Sequence, residues 1–158
     1  MADPLADRVM RRIDEAAVLY HRLVMLVAPA GTGKTAVLRD IHARMAAPLV
    51  NVNLELCQRM LDLTERQRAL QLPRLLGEIV AESAADVVLF DNLEVLFEVS
   101  LKQDPLRLLQ GLSRNRTIVA ALSGSIEGGN MVYAKPDHPE YRRYSLQDFL
   151  LVNPDAVL

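Results

Sequence analysis

Residues 28–35 read "APAGTGKT", a loop with two glycines that ends in a lysine and a threonine. Gly31 and Gly33 permit positive φ and a close backbone approach, so successive N–H groups can converge on one concavity. A helix starting at Lys34 would aim its unpaired N–H groups and the positive end of its dipole at the same point. Lys34 adds a full charge, and Thr35 a hydroxyl able to ligate a divalent cation. These residue types at this spacing suit phosphate. The pattern is that of the Walker A loop with Ala28 at its first position. The expected nucleotide contacts run through Ala30, Gly31, Thr32, Gly33, Lys34, Thr35 and Ala36.

A magnesium nucleotide also needs an acidic residue at the end of a neighbouring strand, to hold the metal's water shell. "VVLFD" supplies it: four apolar residues closed by Asp91. Thr35 and Asp91 are therefore the expected Mg²⁺ residues, and ATP is the expected nucleotide. Hydrolysis needs one more group, to polarise the attacking water. Asn92 directly follows the aspartate in "DNLE", and the first glutamate is Glu94. A tight turn over 91–94 would bring the Glu94 carboxylate toward the γ-phosphate, whereas a plain helix after the strand would face it to solvent. The candidate catalytic set is Glu94, Asn92 and Ser123, with Ser123 or Ser125 of "LSGS" as a sensor at the end of a later strand.

Positioning these groups takes strands alternating with helices. Leu5, Val9, Ile13, Ala16 and Ala17 are spaced as an amphipathic helix over 5–17. "RLVMLVA" (22–28) is apolar without interruption, as a strand of a parallel sheet covered on both faces is. After the glycine loop, Val37, Leu38, Ile41 and Met45 share one face of a helix, and "PLVNVNL" (48–54) alternates as a second strand. Two helical pieces follow. Thr64 and Gln67 form a capping box at "TERQRAL", and Pro73 takes a tolerated first-turn position in the next piece. The stripe of that piece is Leu72, Leu75, Leu76, Ile79 and Val80. "DVVLFD" (86–91) is a third strand, short helices lie near 93–98 and 104–111, and "RTIVAALSG" (116–124) is a fourth strand. "MVYAKPDHPEYRRYSL" reads as two short strands about a Pro-Asp-His-Pro turn, and "QDFLLV" as a short helix or strand.

The order βαβαβαβ behind a leading helix implies right-handed crossovers and a three-layer αβα sandwich with a mainly parallel sheet. With a whole strand between the loop and Asp91, this is a P-loop NTPase fold of the additional-strand (ASCE, AAA-like) type. One domain is expected over 1–158: a leading helix (1–21), a nucleotide-binding core (22–124), and a β-hairpin with a C-terminal tail (125–158). About a fifth of the chain follows the fourth strand, which is too little for a helical lid over the nucleotide.

Composition narrows the partners. At 158 residues and 51% hydrophobic the chain can bury a core, and a net charge of −2 gives no global pull toward duplex DNA or an anionic membrane. Direct DNA contact would need a local patch or assembly into a ring. The single cysteine, Cys57, excludes an internal disulfide, and no metal site can be built around it. The charged N-terminal stretch has no signal-peptide core, and no run approaches the ~20 apolar residues of a membrane helix. Cytoplasm is the expected compartment. His21, His42 and His138 share no ligand spacing and read as surface or turn residues.

Two arginine pairs are candidates for reaching the nucleotide of a neighbouring copy. Arg114 and Arg116 precede the fourth strand, and Arg142 and Arg143 lie between Tyr141 and Tyr144. No motif places either pair. A solvated helix terminus accounts for the first, and an interface or edge hairpin for the second.

The strings "VAPAGTGKTAVLRDI", "VNVNLELCQRMLDLTERQRALQLPRLLGEIV" and "LFDNLEVLF" together resemble the BrxF family, P-loop proteins of the class III BREX systems with which bacteria restrict phage. The resemblance covers nearly the whole chain. Its specific part is "NLELCQRMLDLTERQRALQLPRLL", which no general NTPase rule anticipates. It implies a cytoplasmic role in phage exclusion beside a site-specific DNA methyltransferase, a large ATPase, an alkaline-phosphatase-like protein and a helicase. It also implies ATP held through Gly33, Lys34 and Thr35, with Asp91 at the Walker B position. Three readings stay open: a slowly hydrolysing Mg-ATP switch subunit that assembles with itself (in a nucleotide- or DNA-dependent way) and with partners, a non-hydrolysing nucleotide-binding scaffold, and a small-molecule kinase.

Overall fold

Residues 4–154 are described by a computed structural model; residues 1–3 and 155–158, the two ends of the expected domain, lie outside the described residues. The chain runs α1 (Leu5–Ala16), β1 (Leu23–Ala28), α2 (Lys34–Arg44), β2 (Leu49–Asn51), α3 (Val52–Arg59), α4 (Glu65–Ala81) and β3 (Val87–Asp91). Two 3₁₀ turns, Glu94–Phe97 and Val99–Leu101, lead to α5 (Pro105–Leu112) and β4 (Thr117–Ser123). Then come β5 (Ser125–Glu127), β6 (Asn130–Tyr133), β7 (Arg142–Ser145), a 3₁₀ turn Leu146–Asp148, and β8 (Leu150–Val152).

The main sheet has the order β2-β3-β4-β1-β8 and every pairing in it is parallel. β4 lies between β1 and β3, so the strand that leads into the glycine loop and the strand that ends in Asp91 are separated by one additional strand. Period-two alternation sends side chains to both faces. Leu23, Met25, Val27, Val88, Phe90, Ile118, Ala120 and Leu122 join one apolar cluster with α3, α4 and α5. Val24, Leu26, Val87, Leu89, Val119 and Ala121 join the other with Val9 and Ile13 of α1 and Leu38 and Ile41 of α2. Each fully buried Val, Leu or Ile contributes roughly 1.5–3 kcal/mol, so the two clusters make an αβα sandwich without any help from covalent cross-links. The expected fold class is the observed one.

The structure departs from the sequence expectations in three places. The second strand stops at Asn51 instead of running to Leu54, because the Asn51 side chain accepts the Leu54 N–H at 3.1 Å and caps α3. The two expected helical pieces are one 17-residue helix, α4, with the Thr64–Gln67 capping box at its start and Pro73 inside it. Proline offers no N–H to the carbonyl four residues back. That carbonyl, of Ala69, accepts instead from Gln103 Nε2 at 2.7 Å.

The expected hairpin is a three-stranded antiparallel sheet, β5-β6-β7. Gly128 and Gly129, at φ 56° and 77°, form the two-residue turn that lets β5 fold back on β6. "QDFLLV", expected as a short helix or strand, supplies a 3₁₀ turn and then a fifth parallel strand, β8, which pairs with β1 through Val24↔Leu150, Met25↔Leu151 and Leu26↔Val152. Among the described residues no helical lid follows β4; the small sheet and β8 occupy that stretch.

Candidate functional site

β1 ends at Ala28, and the chain turns through the glycine loop into α2 at the C-terminal edge of the parallel sheet, the edge where open α/β sheets bind ligands. Gly31 and Gly33 have φ of 81° and 87°, which a side chain would strain. Gly33 is the N-cap of α2 and no side chain caps that terminus, so the first N–H groups of the helix carry no side-chain acceptor. Thr32 Oγ1 donates to Pro29 O at 2.7 Å and ties the loop to itself. Ala30, Gly31, Thr32, Gly33 and Ala36 are exposed, Thr35 is half-buried and Lys34 is buried at 8% exposure.

Lys34 Nζ donates to the carbonyls of Ala28 at 3.0 Å and Pro29 at 2.9 Å. Burial pulls its pKa below the usual lysine value, and the carboxylates of Asp91 and Glu94 oppose that pull. The ammonium is thus partly desolvated at the loop and bonded to two neutral carbonyls, which is a setting that favours binding phosphate.

Asp91, buried at the end of β3, accepts the Thr35 hydroxyl on Oδ2 at 2.6 Å. Two hard oxygen ligands, from the start of α2 and the end of β3, meet here, and they fit a Mg²⁺ ion whose shell phosphate and water would complete. Asn92 takes a left-handed conformation, φ 56°, and its N–H bonds Asp91 Oδ1 at 3.0 Å. That sharp turn starts a 3₁₀ turn at Glu94, whose half-buried carboxylate is felt by Lys34. Sequence reasoning did not single out Asn53, from the first turn of α3. Its Nδ2 donates to Glu94 Oε2 at 3.3 Å, its Oδ1 accepts the Val95 N–H at 2.9 Å, and its own N–H bonds Asn92 O at 3.0 Å. The only available signal was the "VNVNL" string, where reading a strand hid a helix start. Ser123 lies on β4 in register with Ala28, beside the first residue of the loop, while the Ser125 hydroxyl donates to Glu127 on β5.

Residues 24–126, more than half of the chain, match the family model "ATPase family associated with various cellular activities (AAA)". The chain belongs to the AAA family. It is a nucleotide-binding domain of AAA ATPase type, and its loop and Asp91 lie at the C-terminal edge of the parallel sheet. The solved structure of C. elegans PCH-2 is similar at 16% identity and a TM-score of 0.44, over 94% of this chain and 39% of that one. This chain therefore spans well under half the length of that protein. Comparison with curated proteins gives no match.

In this AAA domain the remaining candidates have other partners. Arg116 donates to the carbonyls of Val80 (2.9 Å), Ser83 and Ala85, where α4 ends, and Arg114 lies over the Tyr20 ring at 4.8 Å. Both precede β4 and so lie at the end of the sheet opposite Asp91. Arg142 donates to Gln103 O at 3.0 Å and Arg143 to Glu127 O at 3.4 Å, both on exposed β7. Tyr144 hydrogen-bonds Asp104 and Tyr133 stacks on Phe97, so these aromatics pack inward.

The ring nitrogens of His21 and His42 meet backbone carbonyls, and His138 accepts the Glu140 N–H. Among the described residues no His/Cys/Asp/Glu cluster could hold a metal, and no helix is long and apolar enough to cross a membrane. Cys57 is exposed on α3. Cavities of about 510 Å³ (by Met60, Val95 and Leu101) and about 620 Å³ (by Ile13, Arg22 and Asp86) share no residue with the loop and do not mark the nucleotide site.

Proposed function

We propose that this AAA domain binds Mg-ATP and hydrolyses it slowly, acting as an energy or switch subunit. The observation that carries the reading is the convergence at one sheet edge of the Lys34 ammonium, the Thr35–Asp91 pair and the Asn53-held Glu94. The loop N–H groups and Lys34 bind the phosphates. Thr35 and Asp91 are the residues that would hold Mg²⁺, which when bound neutralises phosphate charge. Glu94 takes up the proton of the attacking water, and Asn53 fixes the direction in which its carboxylate points. Ser123, which pairs with Ala28, senses the terminal phosphate in this reading.

The decisive experiment measures melting temperature and phosphate release for the wild type, Lys34→Ala and Glu94→Gln. Mg-ATP at 100-fold over Kd should stabilise the wild type by ~2.7 kcal/mol, and Lys34→Ala should remove that gain. Glu94→Gln should keep the stabilisation and lose turnover. A wild-type melting temperature indifferent to saturating Mg-ATP sinks the proposal.

Asn92, standing directly after Asp91, favours a second reading in which the domain holds nucleotide without turning it over. Phosphate release that vanishes in Asp91→Ala excludes that scaffold. Phosphoryl transfer to a metabolite without net hydrolysis would point instead to a kinase. The "NLELCQRMLDLTERQRALQLPRLL" resemblance supports a finer proposal: the domain works in the cytoplasm inside a BREX phage-defence assembly, with copies of itself and with the methyltransferase, large ATPase, phosphatase-like and helicase components. Phage plating that stays restricted when Lys34→Ala replaces the wild type in such a system speaks against it.

A further inference from the structure

We propose that Tyr133 is a positioning residue for Glu94, acting through Phe97; the inference rests on the reading of Glu94 as the group that activates water. Glu94 opens, and Phe97 closes, a single 3₁₀ turn of four residues. Such turns have poor hydrogen-bond geometry and little stability of their own, so their orientation comes from what packs on them. On one side Asn53 holds the turn, bonding both the Glu94 carboxylate and the Val95 N–H. On the other side the Phe97 ring, 5% exposed, stacks on the Tyr133 ring with centroids 3.8 Å apart and planes 12° from parallel.

Tyr133 is well anchored for this work. It lies on β6, the central strand of the small sheet, and that sheet is fastened to the segment just after the turn. Arg142 donates to Gln103 O at 3.0 Å, and Tyr144 donates to Asp104 Oδ1 at 3.3 Å. Gln103 in turn bonds Leu101 O at 2.8 Å and Ala69 O of α4. At the sheet's root a Cβ on Gly124 would come within 2.6 Å of Val132 O, so β6 also presses on the end of β4. The turn that carries Glu94 is therefore clamped between α3 and β6. Burial, then Glu140 and Glu94, raise the Tyr133 pKa, which keeps the phenol neutral beside these carboxylates.

The test compares wild type with Tyr133→Phe, Tyr133→Ala and Tyr133→Leu, the last filling the space without a flat ring should the alanine variant not fold. For each, kcat and KM for Mg-ATP, Kd for a non-hydrolysable ATP analogue, and amide exchange at Val95 are measured. Tyr133→Phe keeps the stack and should match wild type. Tyr133→Ala and Tyr133→Leu should lower kcat about tenfold, with KM and Kd within about twofold, because small misplacements of a catalytic group are costly. Exchange at Val95 should rise while that of β1 stays put. Unchanged kcat with unchanged Val95 exchange overturns the proposal, as does a KM that rises in step with lost kcat. A wild type that binds the analogue yet releases no phosphate defeats the hydrolytic reading instead. The exchange data then decide the clamp alone: faster Val95 exchange upholds it and unchanged exchange overturns it.

Discussion

Arg116 shows how a single side chain is committed by its surroundings. Its guanidinium meets three carbonyls, Val80 in the last turn of α4 and Ser83 and Ala85 just beyond it, at the negative end of the helix dipole. An arginine that reaches the nucleotide of a neighbouring copy would give up these three hydrogen bonds. Arg116→Ala should therefore lower stability by about 1–3 kcal/mol in urea unfolding while nucleotide turnover is retained. The opposite pattern, intact stability with turnover lost, would return Arg116 to the role of a trans-acting finger. Lys34 and Asp91 differ in kind: both are buried polar groups at the loop, and their partners are groups of the site itself.

Among the elements, α4 carries the clearest physical lesson. A proline inside a helix costs about 3 kcal/mol or more where nothing compensates, through a lost bond and a clash. Here the carbonyl it orphans is taken by Gln103, from the segment that also receives Arg142 and Tyr144 of the small sheet. Gln103→Ala should cost about 0.5–1.5 kcal/mol in the wild type. In a Pro73→Ala background it should cost less, because the new N–H of residue 73 can take the Ala69 carbonyl. A double-mutant cycle in denaturant reads the difference, and strict additivity would assign Gln103 another purpose. The capping box at Thr64 was legible in the sequence because it needs only Thr64 and Gln67. Continuation of the helix past Pro73 was not, since the compensating group comes from far along the chain.

At the scale of the whole molecule, the small sheet is docked on the core through two half-buried phenols, and this makes stability depend on pH. Burial, then nearby carboxylates, push the pKa of Tyr133 and of Tyr144 from 10.0 up to about 12. Below pH 10 the phenols are neutral in both the folded and the unfolded chain, and they contribute no slope. Between about pH 10 and 12 the unfolded chain releases these protons and the folded chain keeps them, so stability falls as pH rises. The Tyr133→Phe, Tyr144→Phe double variant should lose stability less steeply across that window in chemical unfolding. Parallel curves for the two proteins would show that the phenols are not what couples the sheet to pH.

The sequence by itself determined the phosphate loop, Asp91 as the acidic strand end, and the αβα layering, because each is written in local patterns: glycines before Lys34, and apolar runs of the right period. It left Glu94 undecided between the site and solvent. Only the tertiary structure shows where its carboxylate is held, against Asn53 of α3 after a left-handed Asn92. It likewise decided that Leu150–Val152 completes the main sheet beside β1, and that Tyr133 meets Phe97. These contacts join residues distant in the chain. No local periodicity encodes them, since they follow from which strand edge and which ring face remain open once the core has packed.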